Sequence, residues 1–199
     1  LFSHAADITV VTMAVGDDYQ RTVSLGIENK QQYCEQWGYD FVCQTTTLDP
    51  ERPIPWSKII LLLNLMETSP SEWFFWTDAD SLVTNLAIPL EDFIDENYNF
   101  IVSRDFNAIN TGQFLIRNCA ESREFLKNVY ARTEFIFHPW WENAAIINEL
   151  ENNSHLAGMT KIVPQRLFNS YPQEVIAGAP QSTYQPGDFI VHFASVRWN

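Results

Sequence analysis

The chain has 199 residues, enough for one α/β domain with a full core, and its 46% hydrophobic and 14% aromatic content exclude a disordered chain. With 12 basic against 25 acidic residues the net charge is −13, which argues against nucleic acid and anionic lipid surfaces as partners. No apolar run approaches the roughly 20 residues that cross a bilayer, so no membrane partner is expected of this segment.

The chain opens on "DITVVTMAVG", a β-branched run closed by Gly16, which reads as a buried strand and its loop. "YQRTVSLGIENKQQYCEQWGYD" reads as a helix with Val23, Ile27, Cys34 and Trp37 on one face and Gly38 as its stop. "YDFVCQ" is a second strand, "TTTLDPERPIP" a loop, and "WSKIILLLNLMETSP" a largely buried helix ended by Pro70. "EWFFWT", "NFIVSRD" and "GQFLIRN" are strands, "ESREFLKNVYART" and "ENAAIINELEN" helices, and "DFIVHFAS" a late strand. Alternating strands and helices in the first half predict an α/β fold with a parallel or mixed sheet covered on both faces. Cys34, Cys43 and Cys119 are scattered and form no CxxC, so they read as small buried hydrophobes. No linker or repeat divides residues 1–199, so one domain is expected.

In open α/β sheets ligands bind beyond the carboxyl ends of the strands. "TMAVGDD" and "WTDADS" both lie there, so both should open on one edge. An Asp-x-Asp is a common pattern and on its own reads as a solvated turn. Here it ends a nearly all-apolar strand, which anchors the turn to the core. Carboxylates two residues apart converge on a hard divalent cation, and Mg²⁺ or Mn²⁺ takes such oxygens together with substrate phosphates. Such a cation would also offset the repulsion between an acidic protein and a phosphorylated ligand.

Six segments in order, "IENKQQYCEQWGYDF", "PWSKIILLLNLM", "SEWFFWTDADSLVTN", "NTGQFLIRN", "WENAAIINEL" and "IVHFASVR", give the chain its resemblance. It resembles a nucleotide-sugar glycosyltransferase of the GT-A fold, a Rossmann-like, mostly parallel mixed sheet flanked by helices. More narrowly it resembles glycosyltransferase family 34, which includes fungal Golgi galactosyl- and mannosyltransferases and plant xyloglucan xylosyltransferases. The resemblance implies a metal-dependent, retaining transfer of a hexose or pentose from a UDP-sugar, favoured over a GDP-sugar, to a carbohydrate hydroxyl. It implies Asp78, Asp80 and His192 as ligands of Mn²⁺ or Mg²⁺. It places Asp78, Ala79, Lys58 and Arg197 beside the donor, and Asn110, Thr111 and Gly112 in a loop shaping the donor-sugar pocket. Glu142 and Asn143 would lie close to the reacting carbon, and the first-strand loop, Thr12, Met13 and Ala14, would hold the nucleotide.

On residue type alone each has a plainer role: His192 as a core histidine, Lys58 as a solvated helix start, "NTG" as a turn, and Glu142 as a first-turn acid favoured by the helix dipole. His4, His138 and His155 match nothing in the resemblance. The chain begins "LFSH" without Met and shows no signal peptide. It is expected to be a soluble domain, by itself or as one domain of a longer protein, and either cytoplasmic or the lumenal catalytic part of a Golgi-type enzyme with its anchor removed. Two other classes compete. A nucleotidyl or pyrophosphorylase-type enzyme would want a Gly-rich basic loop after the first strand, where "TMAVGDD" is acidic. A non-catalytic sugar-binding module would suit seven tryptophans and seven tyrosines but has no need of the acidic pair.

Overall fold

The structure is a computed structural model that describes residues 7–174 and 181–194. Arg197 and the end of the "HFASVR" segment lie outside the described residues.

β1 (Ile8–Met13) pairs in parallel with β2 (Asp40–Gln44) on one side and β3 (Trp73–Thr77) on the other. β6 (Ile109–Arg117) runs antiparallel to β3 and to β5 (Phe100–Arg104), and β7 (Thr160–Val163) pairs in parallel with β5. The sheet order is β2-β1-β3-β6-β5-β7, a mixed sheet with three parallel and two antiparallel pairs, as expected. Strand alternation sends side chains to both faces. Val11, Phe74, Trp76, Phe114 and Ile116 pack against α3 (Ser57–Thr68), α4 (Ala120–Ala131) and α5 (Trp141–Asn152). Val10, Trp73, Phe75 and Leu115 face the other way, toward Tyr33 of α2 (Ser24–Trp37) and Phe168 of α7 (Gln165–Phe168). All five residues of β3 are buried. At roughly 1.5–3 kcal/mol for each large side chain, β3 is one of the best-anchored segments of the fold.

Several predicted elements differ in detail. The first helix is two, α1 (Asp17–Thr22) and α2, broken at Val23. The buried face of α2 carries Gly26, Lys30, Tyr33 and Cys34, while Trp37 is 37% exposed and its indole N–H donates to the Leu86 carbonyl. Cys43 and Cys119 are only half-buried. "DFIVHFAS" forms a ladder only over β8 (Ile190–His192), which pairs antiparallel with β4 (Ser81–Val83) in a separate two-stranded sheet. β4, β7 and the five-residue α6 (Ser154–Gly158) are too short to show a period in the sequence. Among the described residues no helix is long and apolar enough to cross a membrane.

The α2 face is set by a close approach. A Cβ on Gly26 would lie 2.5 Å from the Ala79 carbonyl oxygen and 3.0 Å from that of Ser81. Both obstacles are backbone, so Gly26→Ala forces the helix and the β3–β4 turn apart. We expect it to destabilise the fold by about 1–3 kcal/mol, read from the urea midpoint. An unchanged midpoint would show that α2 does not press on the turn in solution.

Candidate active site

The turn between β3 and β4 carries Asp78, Ala79 and Asp80. Its backbone is held by the Ser81 hydroxyl, which donates to the Asp78 carbonyl at 2.7 Å and lies 2.9 Å from the Thr77 hydroxyl. The Asp78 N–H donates to the Gly112 carbonyl at 2.7 Å, and the Trp76 indole donates to Asp78 Oδ1 at 2.8 Å. Beneath the turn Lys30 is fully buried, its ammonium donating to the carbonyls of Ser81 (2.6 Å), Gly26 (3.3 Å) and Ala79 (3.4 Å). Burial pushes the Lys30 pKa down to about 8, against the pull of the Asp80 and Asp78 carboxylates.

β8 brings His192 to the same point. Ser81 and His192 are partners in the small sheet, and His192 Nε2 lies 3.3 Å from Asp80 Oδ1 and 3.7 Å from Asp78 Oδ2. His192 Nδ1 is 2.8 Å from Oδ1 of the buried Asn169. That contact fixes the ring and turns Nε2 toward the two carboxylates. The ligand atoms of Asp78, Asp80 and His192 all lie within 4.8 Å of one another, and two carboxylates with one imidazole are a donor set that fits Mn²⁺ or Mg²⁺. Burial raises the Asp80 pKa, but the hydrogen bond and charge of His192 outweigh it and hold the carboxyl below its usual range.

Gly112 makes room for the ring: a Cβ there would sit 2.4 Å from His192 Cε1 and 2.9 Å from Nδ1. Asn110, Thr111 and Gly112 are not in a loop, as expected, but in β6 at a β-bulge, where the pairing shifts between Val102 and Ser103. A bulge lets a strand bend and re-aim its backbone beside a site while its ends stay paired.

On the other side of the turn, Lys58 is buried and donates to Glu142 Oε1 at 2.7 Å and to the Thr111 carbonyl at 3.1 Å, with Asp78 Oδ1 3.7 Å away. Its ammonium lies 4.9 Å from the centre of the Trp76 ring. Burial works against this cation, but Glu142 and Asp78 more than offset it and raise its pKa. Glu142 is buried too; burial raises its pKa, and its Oε2 has no hydrogen-bond partner. Asn143 Oδ1 accepts from the Thr111 N–H and hydroxyl at 2.8 and 2.7 Å, and its Nδ2 donates to Ile109, so its amide holds β6. Asn110 Oδ1 accepts from the Gly112 N–H, and its Nδ2 donates to Asp105 and Tyr171.

These groups line a cleft of about 1000 Å³. Every described candidate lines it except Thr12 and Ala14. Strand alternation turns those two side chains into the interior, Ala14 against Val23 and Ala79, while Met13, Val15 and Tyr19 face the cleft. The β1 and β3 loops therefore do open together. Sequence reading missed Lys30, Asn169, Asp105 and Tyr171. Lys30 alone left a signal, a lysine within an otherwise apolar helical face; nothing in sequence marks Asn169 as the partner of His192.

The galactosyl transferase GMA12/MNN10 family matches residues 4–96 and 93–197 of this chain, nearly its whole length. The chain belongs to that family. Among curated relatives in it, the chain is similar to an uncharacterized alpha-1,2-galactosyltransferase of Schizosaccharomyces pombe, 29% identical over 87% of this chain and 63% of that protein. It is also similar to a probable xyloglucan 6-xylosyltransferase of Arabidopsis thaliana, 33% identical over 56% of this chain and 26% of that protein. The chain thus spans less than two thirds of the length of these relatives. Among solved structures, it matches a glycosyltransferase involved in the glycosylation of the major capsid of PBCV-1 with a TM-score of 0.76 at 19% identity, covering 96% of this chain and 94% of that one. It matches the galactosyltransferase LgtC, in complex with donor and acceptor sugar analogues, at 0.63 and 15% identity, covering 94% and 87%. At these identities the likeness shows the fold, which is GT-A.

Two measurements probe this geometry. Lys30 has a folded-state pKa of about 8 against 10.5 when free. Between those values the unfolded chain holds a proton that the folded chain lacks, so this group makes stability rise with pH from about 8 to about 10.5. With metal removed by EDTA, the stability of the native chain minus that of Lys30→Met should grow by up to about 3 kcal/mol across that window. A flat difference would mean Lys30 stays charged where it is buried. Gly112→Ala must displace the His192 ring, so Mn²⁺ affinity measured by calorimetry should fall about 10–100-fold. Unchanged affinity would remove His192 from the candidate metal site.

Proposed function

We propose that residues 1–199 form the catalytic domain of a metal-dependent, retaining glycosyltransferase that moves a hexose or pentose from a UDP-sugar to a hydroxyl of a glycan acceptor. One observation carries this reading: two carboxylates and an oriented imidazole converge in a large cleft, with a buried Lys58–Glu142 pair beside them. The relatives named as a galactosyltransferase and a xylosyltransferase favour UDP over GDP, because galactose and xylose are both carried on UDP.

Asp78, Asp80 and His192 would hold Mn²⁺ or Mg²⁺, which neutralises the donor diphosphate and supports its charge as it leaves. Met13, Val15 and Tyr19 offer an apolar edge to the nucleobase. Lys58, kept cationic by its carboxylate neighbours, adds positive charge beside the diphosphate, and Arg197 is proposed as a further phosphate contact. Asn110, Thr111 and Gly112 present the bulged N-terminal end of β6 to the donor sugar, and Ala79 lets the sugar approach the turn. Glu142 supports positive charge at the reacting carbon, and Asn143 positions Thr111. Glu142 Oε1 is tied to Lys58 and its unpaired Oε2 is buried out of reach of solvent, which disfavours a carboxylate nucleophile on this wall. We therefore favour a front-face substitution. The bond from sugar carbon to phosphate oxygen breaks, the acceptor oxygen bonds to the same face, and the acceptor proton goes to the departing phosphate.

The test is turnover of a panel of UDP- and GDP-sugars with and without Mn²⁺. We expect UDP-sugar turnover that EDTA abolishes and Mn²⁺ restores. Asp80→Asn should lower it at least about 100-fold while the melting temperature of the metal-free protein holds. The first product, followed by NMR, should keep the anomeric configuration of the donor. Metal-independent turnover would remove the proposed cation, and an inverted product would remove the front-face reaction.

A further inference from the structure

Ten large apolar side chains are more than a third exposed among the described residues, and five of them line the cleft that holds the acidic turn. Two, Tyr19 and Ile54, belong to the β1 and α3 sides. The other three are aromatic and come from two segments: Trp140 and Trp141 at the start of α5, and Phe106 in the β5–β6 turn. They are 45%, 40% and 65% exposed.

Both segments are built to present these rings. Trp141 is the one non-glycine residue with positive φ, 42°, among the described residues. A bulky side chain is disfavoured there, and such strain persists where its surroundings impose it. The turn sends Glu142 inward to Lys58 and leaves Trp141 on the cleft. Phe106 sits on a tight turn closed by Asp105, whose Oδ1 accepts from the N–H groups of Asn107 (2.7 Å) and Ala108 (3.1 Å). Asp105 Oδ2 accepts in turn from Tyr171 at 2.8 Å and Asn110 at 2.9 Å, which fixes the turn to the site.

We propose that Trp140, Trp141 and Phe106 form the acceptor subsite of the cleft, taking the apolar C–H face of an uncharged sugar ring. This rests on the sugar-transfer reading above. The sheet order β1-β3-β6-β5 puts the β1 loop and the β5–β6 turn on opposite sides of Asp78 and Asp80. A donor with its diphosphate at the acidic turn and its base toward β1 leaves the aromatic side for the second substrate. Aromatic faces beside polar groups suit a pyranose, which has an apolar face and a hydroxylated rim. The charge excludes an anionic acceptor. Lys58 is the one Lys or Arg among the described residues lining the cleft, and it is already paired with Glu142, while Asp78, Asp80 and Asp105 line the same space.

The probes are cellopentaose, mannopentaose and the anionic pentagalacturonic acid, each titrated against intrinsic tryptophan fluorescence and each offered as acceptor with UDP-galactose or UDP-xylose and Mn²⁺. We expect a neutral pentasaccharide to change the emission and to accept sugar, and the galacturonide to do neither. Trp140→Ala and Phe106→Ala should raise the acceptor KM at least tenfold, well beyond any change in donor KM, and Trp140→Phe should recover most of the loss. Trp141→Gly removes the ring and relieves the positive φ, so it should lose acceptor affinity with no fall in melting temperature. A role of Trp141 in packing alone would give the reverse. Unchanged acceptor KM in all three variants, donor KM rising in step, or preference for the galacturonide would overturn the proposal. If the native chain turns over no nucleotide sugar, the sugar-transfer reading fails; the fluorescence titration then decides the subsite by itself, a loss of the neutral-sugar signal in Trp140→Ala supporting it and no signal in the native chain rejecting it.

Discussion

Two carboxylates and a ring nitrogen crowd within 4.8 Å at the end of β3, and that crowding shapes what surrounds it. Like charges about 4 Å apart repel by roughly 1 kcal/mol in water and about 4 kcal/mol near a protein surface. The four large aromatic side chains of β3 gain more than this by burial, so the strand can carry the pair without losing its place. The turn is then fixed from several directions: the Trp76 indole on Asp78, the Ser81 hydroxyl on the turn backbone, and the Gly112 carbonyl on the Asp78 N–H.

Charge is met by charge as well. A chain of net charge −13 places two of its lysines, Lys30 and Lys58, out of solvent around this turn. An exposed lysine would be screened within about 8 Å at physiological salt, whereas a buried one acts at close to full strength on its neighbours. Lys30 binds only carbonyl oxygens, so it steadies the turn without competing for the carboxylates. Lys58 is paired, and taking away either partner of such a buried pair costs about 3–5 kcal/mol because the other charge is left alone. The two cations thus differ in kind: one supports the backbone, and the other sits within the cleft.

Local features were the ones legible in the sequence. The apolar run of β3 and the aspartates that end it sit within eight consecutive residues, and strand period and turn chemistry suffice to read them. The parallel pairing of β1, β2 and β3 follows from alternating strands and helices. His192 and Glu142 could be singled out only through family resemblance, since each is an ordinary residue in its own segment. What sequence could not show depends on distant register. Which face of α2 is buried is decided by the backbone of a turn about 50 residues later, so Trp37 was placed inside and Lys30 overlooked. "NTG" has the composition of a turn, but the pull of β3 and β5 on either side draws it into β6 as a bulge. Thr12 and Ala14 were grouped with Met13 because a loop was expected, where strand alternation in fact continues.

β8 has one further consequence. It belongs to a sheet of only two strands, three residues each, and its place is secured by few ladder bonds. His192 lies about 110 residues after Asp80, so a cation shared by the two would close a loop of more than half the chain. In chain-entropy terms a cross-link of that span is worth roughly 4–5 kcal/mol against the unfolded state, much as a disulfide would be. The same ion that serves a ligand would then act as a removable staple, fastening the late segment 181–194 to the first half of the fold. Occupancy of the site and resistance of that segment to proteolysis would then rise and fall together.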